Sequence, residues 1–226
     1  MTNRDTARRL AADAAESDRP LEWFEQLYSE AAGDSGQIPW ADMTANPNLT
    51  EWLSQQEIIR TDSKALVVGC GLGDDAEALN ALGMRVTAFD ISSTCIEWCR
   101  RRFTNSSVCY QTADLFDSPA AWHQAFDFVL ESYTLQALPP KLFEPAVDRI
   151  ADFVAPGGRL LVICRGRNAE DEPGKMPWPL TREQMDRFTE RGLRLIQFDD
   201  YVEAEDPPVR RFRAEYRRTV ATEGLS

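Results

Sequence analysis

At 226 residues, with 43% apolar residues, six tryptophans and eleven phenylalanines, the chain is long enough to bury one full α/β core and short for two domains. A net charge of −12 and a pI near 4.6 give a surface that repels polyphosphate, which argues against a nucleic-acid partner. No apolar stretch is long enough to span a bilayer and the opening MTNRDTARRLAADAAESDRP is too polar for a signal peptide, so a cytoplasmic protein without a membrane partner is expected.

The first sixty residues read as helices. Residues 5–17 are rich in Ala and Arg, residues 21–28 repeat apolar groups at helical spacing, and a further helix begins near Pro47 and carries Leu49, Trp52, Leu53 and Ile58. Strands and helices then alternate, with strands predicted at 65–69, 85–90, 108–112, 126–131 and 159–165, and helices at 74–82, 93–103, 120–123 and 141–154. Alternation of this kind implies a parallel sheet with helices on both faces. Pro156-Gly157-Gly158 reads as a turn before the fifth strand, and Thr181 with Gln184 as a capping box opening a helix over 181–191. Residues 193–201 and 209–218 follow as two strand-like runs with no helix between them, an antiparallel hairpin. The expected organisation is an N-terminal helical cap, residues 1–60, belonging to the same domain as a nucleotide-binding unit over residues 61–226.

The densest signal is ALVVGCGLGDDAEALNALGMRVTAFDIS, residues 65–92: an apolar run, a glycine-rich turn, a helix-like segment, and a second apolar run ending in Asp90. A strand stopping at Gly69, Gly71 and Gly73 lets a ligand lie against bare backbone, and a carboxylate directly after the second strand can accept from ribose hydroxyls. A pyrophosphate at the helix N-terminus would meet Asp74 and Asp75, which disfavours NAD. S-adenosylmethionine has no phosphate, and its amino and sulfonium groups are cationic, so it suits these acids.

Five segments in order carry a family resemblance. Leu66 to Gly73, Thr87 to Ser92, Ala113-Asp114-Leu115-Phe116, Phe126 to Ser132 and Val154 to Leu160 resemble the successive motifs of class I S-adenosylmethionine-dependent methyltransferases. Ile38-Pro39-Trp40 and the run Pro173 to Pro179 resemble the thiopurine S-methyltransferase-like small-molecule branch. The resemblance implies an α/β fold, a seven-stranded Rossmann-like sheet of five parallel strands plus a C-terminal antiparallel hairpin. It implies Gly69, Gly71 and Gly73 against the methionine part, Asp90 and Ile91 at the ribose, and Asp114 with Leu115 at the adenine, with Glu131 completing the cofactor set. The acid usual two positions before the first glycine is Val67 here, which leaves Asp75 to meet the amino group. Trp40 either covers the sulfonium, as an aromatic face attracts a cation, or belongs to the core.

Tyr133 and Arg165, at the ends of the fourth and fifth strands, and Trp178, between two prolines, are expected around the acceptor; Tyr133 and Arg165 are also the candidates for a catalytic role. Arg167 could join them at an anionic acceptor. Arg100-Arg101-Arg102 and Arg210-Arg211 read as solvated faces. The cysteines Cys70, Cys95, Cys99, Cys109 and Cys164 lack paired spacing and read as reduced core thiols, and with His123 the sole histidine a zinc site is hard to build. The expected protein is a monomeric, metal-independent methyltransferase of a small molecule, preferably a thiol or other soft nucleophile. The alternatives are an O- or N-methyltransferase, an NAD-binding oxidoreductase, or a cofactor-binding regulator without turnover.

Overall fold

A computed structural model of the chain describes residues 2–15, 17–56 and 61–220. Its centre is β1 (Lys64–Val68), whose Ala65, Leu66, Val67 and Val68 are each no more than 2% exposed. Such a strand needs cover on both faces, which is why its sequence is an unbroken apolar run. It pairs in parallel with β2 (Arg85–Asp90) and β4 (Phe126–Ser132). Beyond them lie β3 (Cys109–Thr112) on one side and β5 (Val154–Arg165) on the other. The sheet closes with β7 (Val209–Arg218), antiparallel to β5, and β6 (Leu193–Glu203), which pairs antiparallel with β7 and so runs in the direction of β5, in the order β3-β2-β1-β4-β5-β7-β6. The chain reverses direction across the sheet between β1 and β4, so a crevice opens at their carboxyl ends.

Alternate residues of β1 serve different layers. Ala65 and Val67 pack under α3 (Pro47–Ser54), α4 (Asp74–Ala81) and α5 (Ser93–Arg102), through Leu49, Trp52, Leu79 and Ile96. Leu66 and Val68 pack under α6 (Phe143–Phe153) and α7 (Arg182–Asp186), through Val147, Ile150 and Met185. A third cluster joins α1 (Asn3–Ala15) and α2 (Glu22–Ala31) to α5, with Leu10, Trp23 and Tyr28 against Cys95 and Trp98. Among the described residues no helix is long and apolar enough to cross a membrane.

Several expectations are corrected. Pro156-Gly157-Gly158 is not a turn ahead of the fifth strand but a bulge within β5: pairing steps from Phe126↔Val154 to Phe128↔Arg159, so Asp127 opposes residues 155–158. Gly157 is left-handed at φ 77°, and a Cβ on Gly158 would lie 2.8 Å from the Phe126 carbonyl oxygen. The helix expected over 181–191 has its capping box but tightens after Asp186 into a 3-10 turn, Arg187–Arg191, which buries Phe188 against Tyr216 before Gly192 ends it. Cys109 is exposed, because β3 is an edge strand, while the other four cysteines are buried. Arg102 and Arg211 are not solvated: Arg102 forks onto Asp74, and Arg211, 7% exposed, pairs with Glu203 and Glu205. Ile58 lies outside the described residues.

Candidate active site

The crevice holds a cavity of about 430 Å³ whose floor is the glycine loop after β1. All three glycines are left-handed, at φ 58°, 52° and 90° for Gly69, Gly71 and Gly73. A Cβ on Gly69 would sit 2.4 Å from Thr134 Oγ1, and one on Gly73 would sit 2.6 Å from the Tyr110 hydroxyl. The loop is therefore bare partly so that it can seat on its own neighbours. The Gly71 amide donates to Asp90 Oδ2 at 3.2 Å, and its carbonyl accepts the Cys95 and Cys99 thiols at 2.8 and 3.1 Å.

Five acids that the sequence brings into question separate here. Asp74 is neutralised by two hydrogen bonds from Arg102, both 2.8 Å. Asp75 has no such partner among the described residues; it accepts the Asn46 amide at 2.7 Å, with the Ser132 side chain nearby, and burial pushes its carboxyl up to about 6. Asp90, 7% exposed, accepts the amides of Ser92 and Gly71, and burial raises it likewise to about 6. Each of its oxygens keeps a second lone pair for a ligand. Asp114 caps the 3-10 turn Leu115–Asp117 by accepting the Phe116 amide at 2.8 Å, and lies on the cavity wall with Leu115 and Ile91. Glu131 is not on that wall. It points to the α6 side, fully buried, where Oε1 accepts the Leu135 amide at 2.9 Å, Oε2 has no partner, and burial raises the carboxyl to about 7.

The rest of the wall comes from distant parts of the chain. Trp40 lines it edge-on to Tyr28 and donates to the Tyr28 hydroxyl at 2.9 Å. Tyr133, left-handed at φ 64°, lines the other end; Asn48 Nδ2 donates to its hydroxyl at 3.4 Å, and the Arg211 guanidinium lies 5.0 Å above its ring. Arg165 lines that end, with Arg4 and Arg8 of α1. Of the proline-rich run, Met176 and Pro177 reach the cavity while Trp178 does not: its amide bonds the Gln136 carbonyl at 2.7 Å and its ring packs on the α1–α2 cluster. Arg167 holds the same run by donating to the Pro179 carbonyl, and His123 sits at the surface on Asp152.

Sequence reading missed Asn46, Asn48, Arg4 and Arg8. Asn46-Pro47 is a helix-start signal, since Asn46 accepts the Asn48 amide as an N-cap and Pro47 follows. Its amide's bond to Asp75, and its side chain's bond to Ser132 at 2.9 Å, have no local signature.

Buried carboxyls with spare lone pairs suit a ligand that offers hydroxyls and an ammonium group, and they oppose a pyrophosphate. Residues 65–158 match the family described as Methyltransferase domain. The chain is 25% identical over 161 residues to a probable thiol methyltransferase 2 of Arabidopsis thaliana, covering 67% of this chain and 70% of that protein. It is 32% identical over 129 residues to a ubiquinone biosynthesis O-methyltransferase of Thiobacillus denitrificans, covering 55% of this chain and only 53% of that protein. Among solved structures, a protein from work on conversion of a disulfide bond into a thioacetal group during echinomycin biosynthesis superposes with a TM-score of 0.71 at 18% identity, covering 88% of this chain and 94% of that one. Sheet order, glycine loop and these similarities give the chain the fold of the class I S-adenosylmethionine-dependent methyltransferases, with residues 65–158 matching their methyltransferase domain.

Proposed function

We propose that the enzyme methylates a small-molecule acceptor, with a thiol or other soft nucleophile preferred. When bound, S-adenosylmethionine supplies a methyl group on a sulfonium, which passes to the acceptor's lone pair and leaves S-adenosylhomocysteine. Asp90 would accept from the ribose hydroxyls, Asp114 and Leu115 would hold the adenine, Asp75 would receive the amino group, and Gly69, Gly71, Gly73 and Ile91 would offer backbone. Trp40 would cover the site from the N-terminal side. Tyr133 and Arg165 would bound the acceptor at the β4 and β5 ends.

The observation that carries the soft-nucleophile reading is the makeup of that acceptor end. Its ionisable groups are Tyr133, arginines, and two glutamates tied to Arg211. Burial raises the Tyr133 phenol, so Tyr133 stays protonated and can donate but not act as a base at neutral pH. An acceptor that arrives as an anion, as a thiol of ordinary pKa near ~8.5 does in part, needs only to be positioned. The similarity to a thiol methyltransferase agrees with this. The cavity's volume of about 430 Å³ and the net charge of −12 favour a small molecule over a polynucleotide. The test is release of S-adenosylhomocysteine with thiols, alcohols and amines built on matched carbon frames. Turnover confined to the oxygen or nitrogen acceptors would refute the preference.

A further inference from the structure

Charge is unevenly spread over the cavity wall. Of the residues that line it, Asp90 ends β2 and Asp114 follows β3 on one side of the sheet, Arg165 and Arg211 stand on the neighbouring strands β5 and β7, Arg4 and Arg8 come from α1, and Asp75 lies between, on Asn46. Arg211 is matched by Glu203 and Glu205, and Arg8 Nε donates to the Met176 carbonyl at 2.8 Å. Arg165 is different. It is partly buried, its backbone amide bonds Gln136, and among the described residues no carboxylate forms an ion pair with its guanidinium or with that of Arg4. Asp42, also on the wall, pairs with neither.

An unpaired guanidinium half out of water is costly, and it is out of place in a chain with twelve surplus negative charges. Burial and the like charges of Arg211 and Arg4 loosen the Arg165 proton, which puts those arginines within electrostatic reach of it. Glu205 offsets part of this at longer range, but it is itself held by Arg211 and makes no ion pair with Arg165, so a direct partner has to come from what enters the cavity.

We propose that Arg165, with Arg4 across the cavity mouth, is an anion subsite that takes a carboxylate carried by the methyl acceptor, so that the substrate class is small acids bearing a soft nucleophile. This rests on the acceptor reading given above. The planar guanidinium fork matches carboxylate and phosphate alike, and a carboxylate fits better here because Glu203 and Glu205 nearby oppose a dianion. The aspartates are left to the cationic cofactor, so opposite charges sort the two ligands within one cavity.

The probes are thiosalicylate, salicylate and anthranilate, each with its methyl ester, measured by calorimetry on protein saturated with S-adenosylhomocysteine and by initial rates with mass analysis of the product. Each acid that binds is expected to be preferred over its ester by about 10-fold or more, the range of hydrogen bonds to a charged group. The Arg165→Gln variant is expected to bring that ratio close to one, and Arg4→Gln, on an exposed helix residue, to reduce it by several-fold; S-adenosylhomocysteine affinity reports whether each variant is folded. If no acid binds more tightly than its ester, or if both variants keep the wild-type ratio, the subsite is overturned. If acids are preferred but the methyl group goes to oxygen or nitrogen, the anion subsite stands and the thiol preference falls. Methylated thiols with acid and ester alike give the converse.

Discussion

Replacing Glu131 by glutamine isolates a group that resemblance assigns to the cofactor and that lies instead beneath the cavity. Its carboxyl moves from an ordinary 4.5 to about 7 because it is fully buried, with one oxygen on the Leu135 amide and the other unpartnered. Below pH 4.5 it is protonated in both folded and unfolded chains and contributes no penalty. Between 4.5 and 7 the unfolded chain releases the proton while the folded chain retains it, so stability falls as pH rises; above 7 the loss is complete and constant. Carrying that carboxyl from 4.5 to about 7 corresponds to about 3 kcal/mol. Glutamine keeps the Oε1 acceptor for Leu135 and has no proton to lose. Glu131→Gln is therefore expected to gain on the wild type by about 3 kcal/mol between pH 4.5 and pH 8, on top of a constant offset from its own buried amide N–H. Urea unfolding of both proteins across that range, compared pH by pH, removes the contributions of Asp75 and Asp90, which the two share. A difference that does not change with pH would refute the assignment of the raised carboxyl to Glu131. A loss of S-adenosylhomocysteine affinity in a stable variant would return it to the cofactor site.

Asp90→Ala is expected to weaken S-adenosylhomocysteine binding by about 1.5–3 kcal/mol, the worth of hydrogen bonds to a charged group, and unchanged calorimetry would remove Asp90 from the ribose. Because Asp75 titrates at about 6 and an ammonium prefers its ionised form, wild-type affinity for S-adenosylhomocysteine should rise with pH up to about 7; Asp75→Asn should bind more weakly at pH 8 and rise less. An unaltered profile in that variant would count against Asp75. Trp178→Ala, which opens a gap against the α1–α2 cluster rather than in the cavity, is expected to cost about 2–4 kcal/mol in thermal or urea unfolding and to leave S-adenosylhomocysteine affinity within about twofold. Unchanged stability with a raised acceptor KM would show instead that its ring faces the substrate.

The elements were largely legible because their signals are local. Leu66-Val67-Val68 before Gly69 reads as a strand ending in a glycine loop, Thr181 and Gln184 read as a capping box, and the absence of a helix between 201 and 209 reads as a hairpin; each appears as such. Elements set by longer-range pairing were harder. Pro156-Gly157-Gly158 forms a bulge inside a strand because β4 pairs on both sides of it, and Arg211 is buried because Glu203 and Glu205 come to meet it from β6 and the loop after it.

Sequence alone determined the order of strands and helices, the glycine loop with Asp90 after the second strand, and the acids that turn the site away from pyrophosphate, since periodicity, turn chemistry and charge all act between near neighbours. Tertiary structure alone decided which face Glu131 and Trp178 present. A strand buried on both faces is apolar throughout and carries no sign of which side looks at the cavity, and a tryptophan between prolines packs against whatever the fold brings to it. It alone decided, too, that Arg102 would silence Asp74 and leave Asp75 without a counter-charge. The cavity wall draws Arg4 and Arg8 from the first helix, Arg165 from the fifth strand and Arg211 from the seventh, and residues so far apart in the chain share a charge field only once the sheet has closed around them.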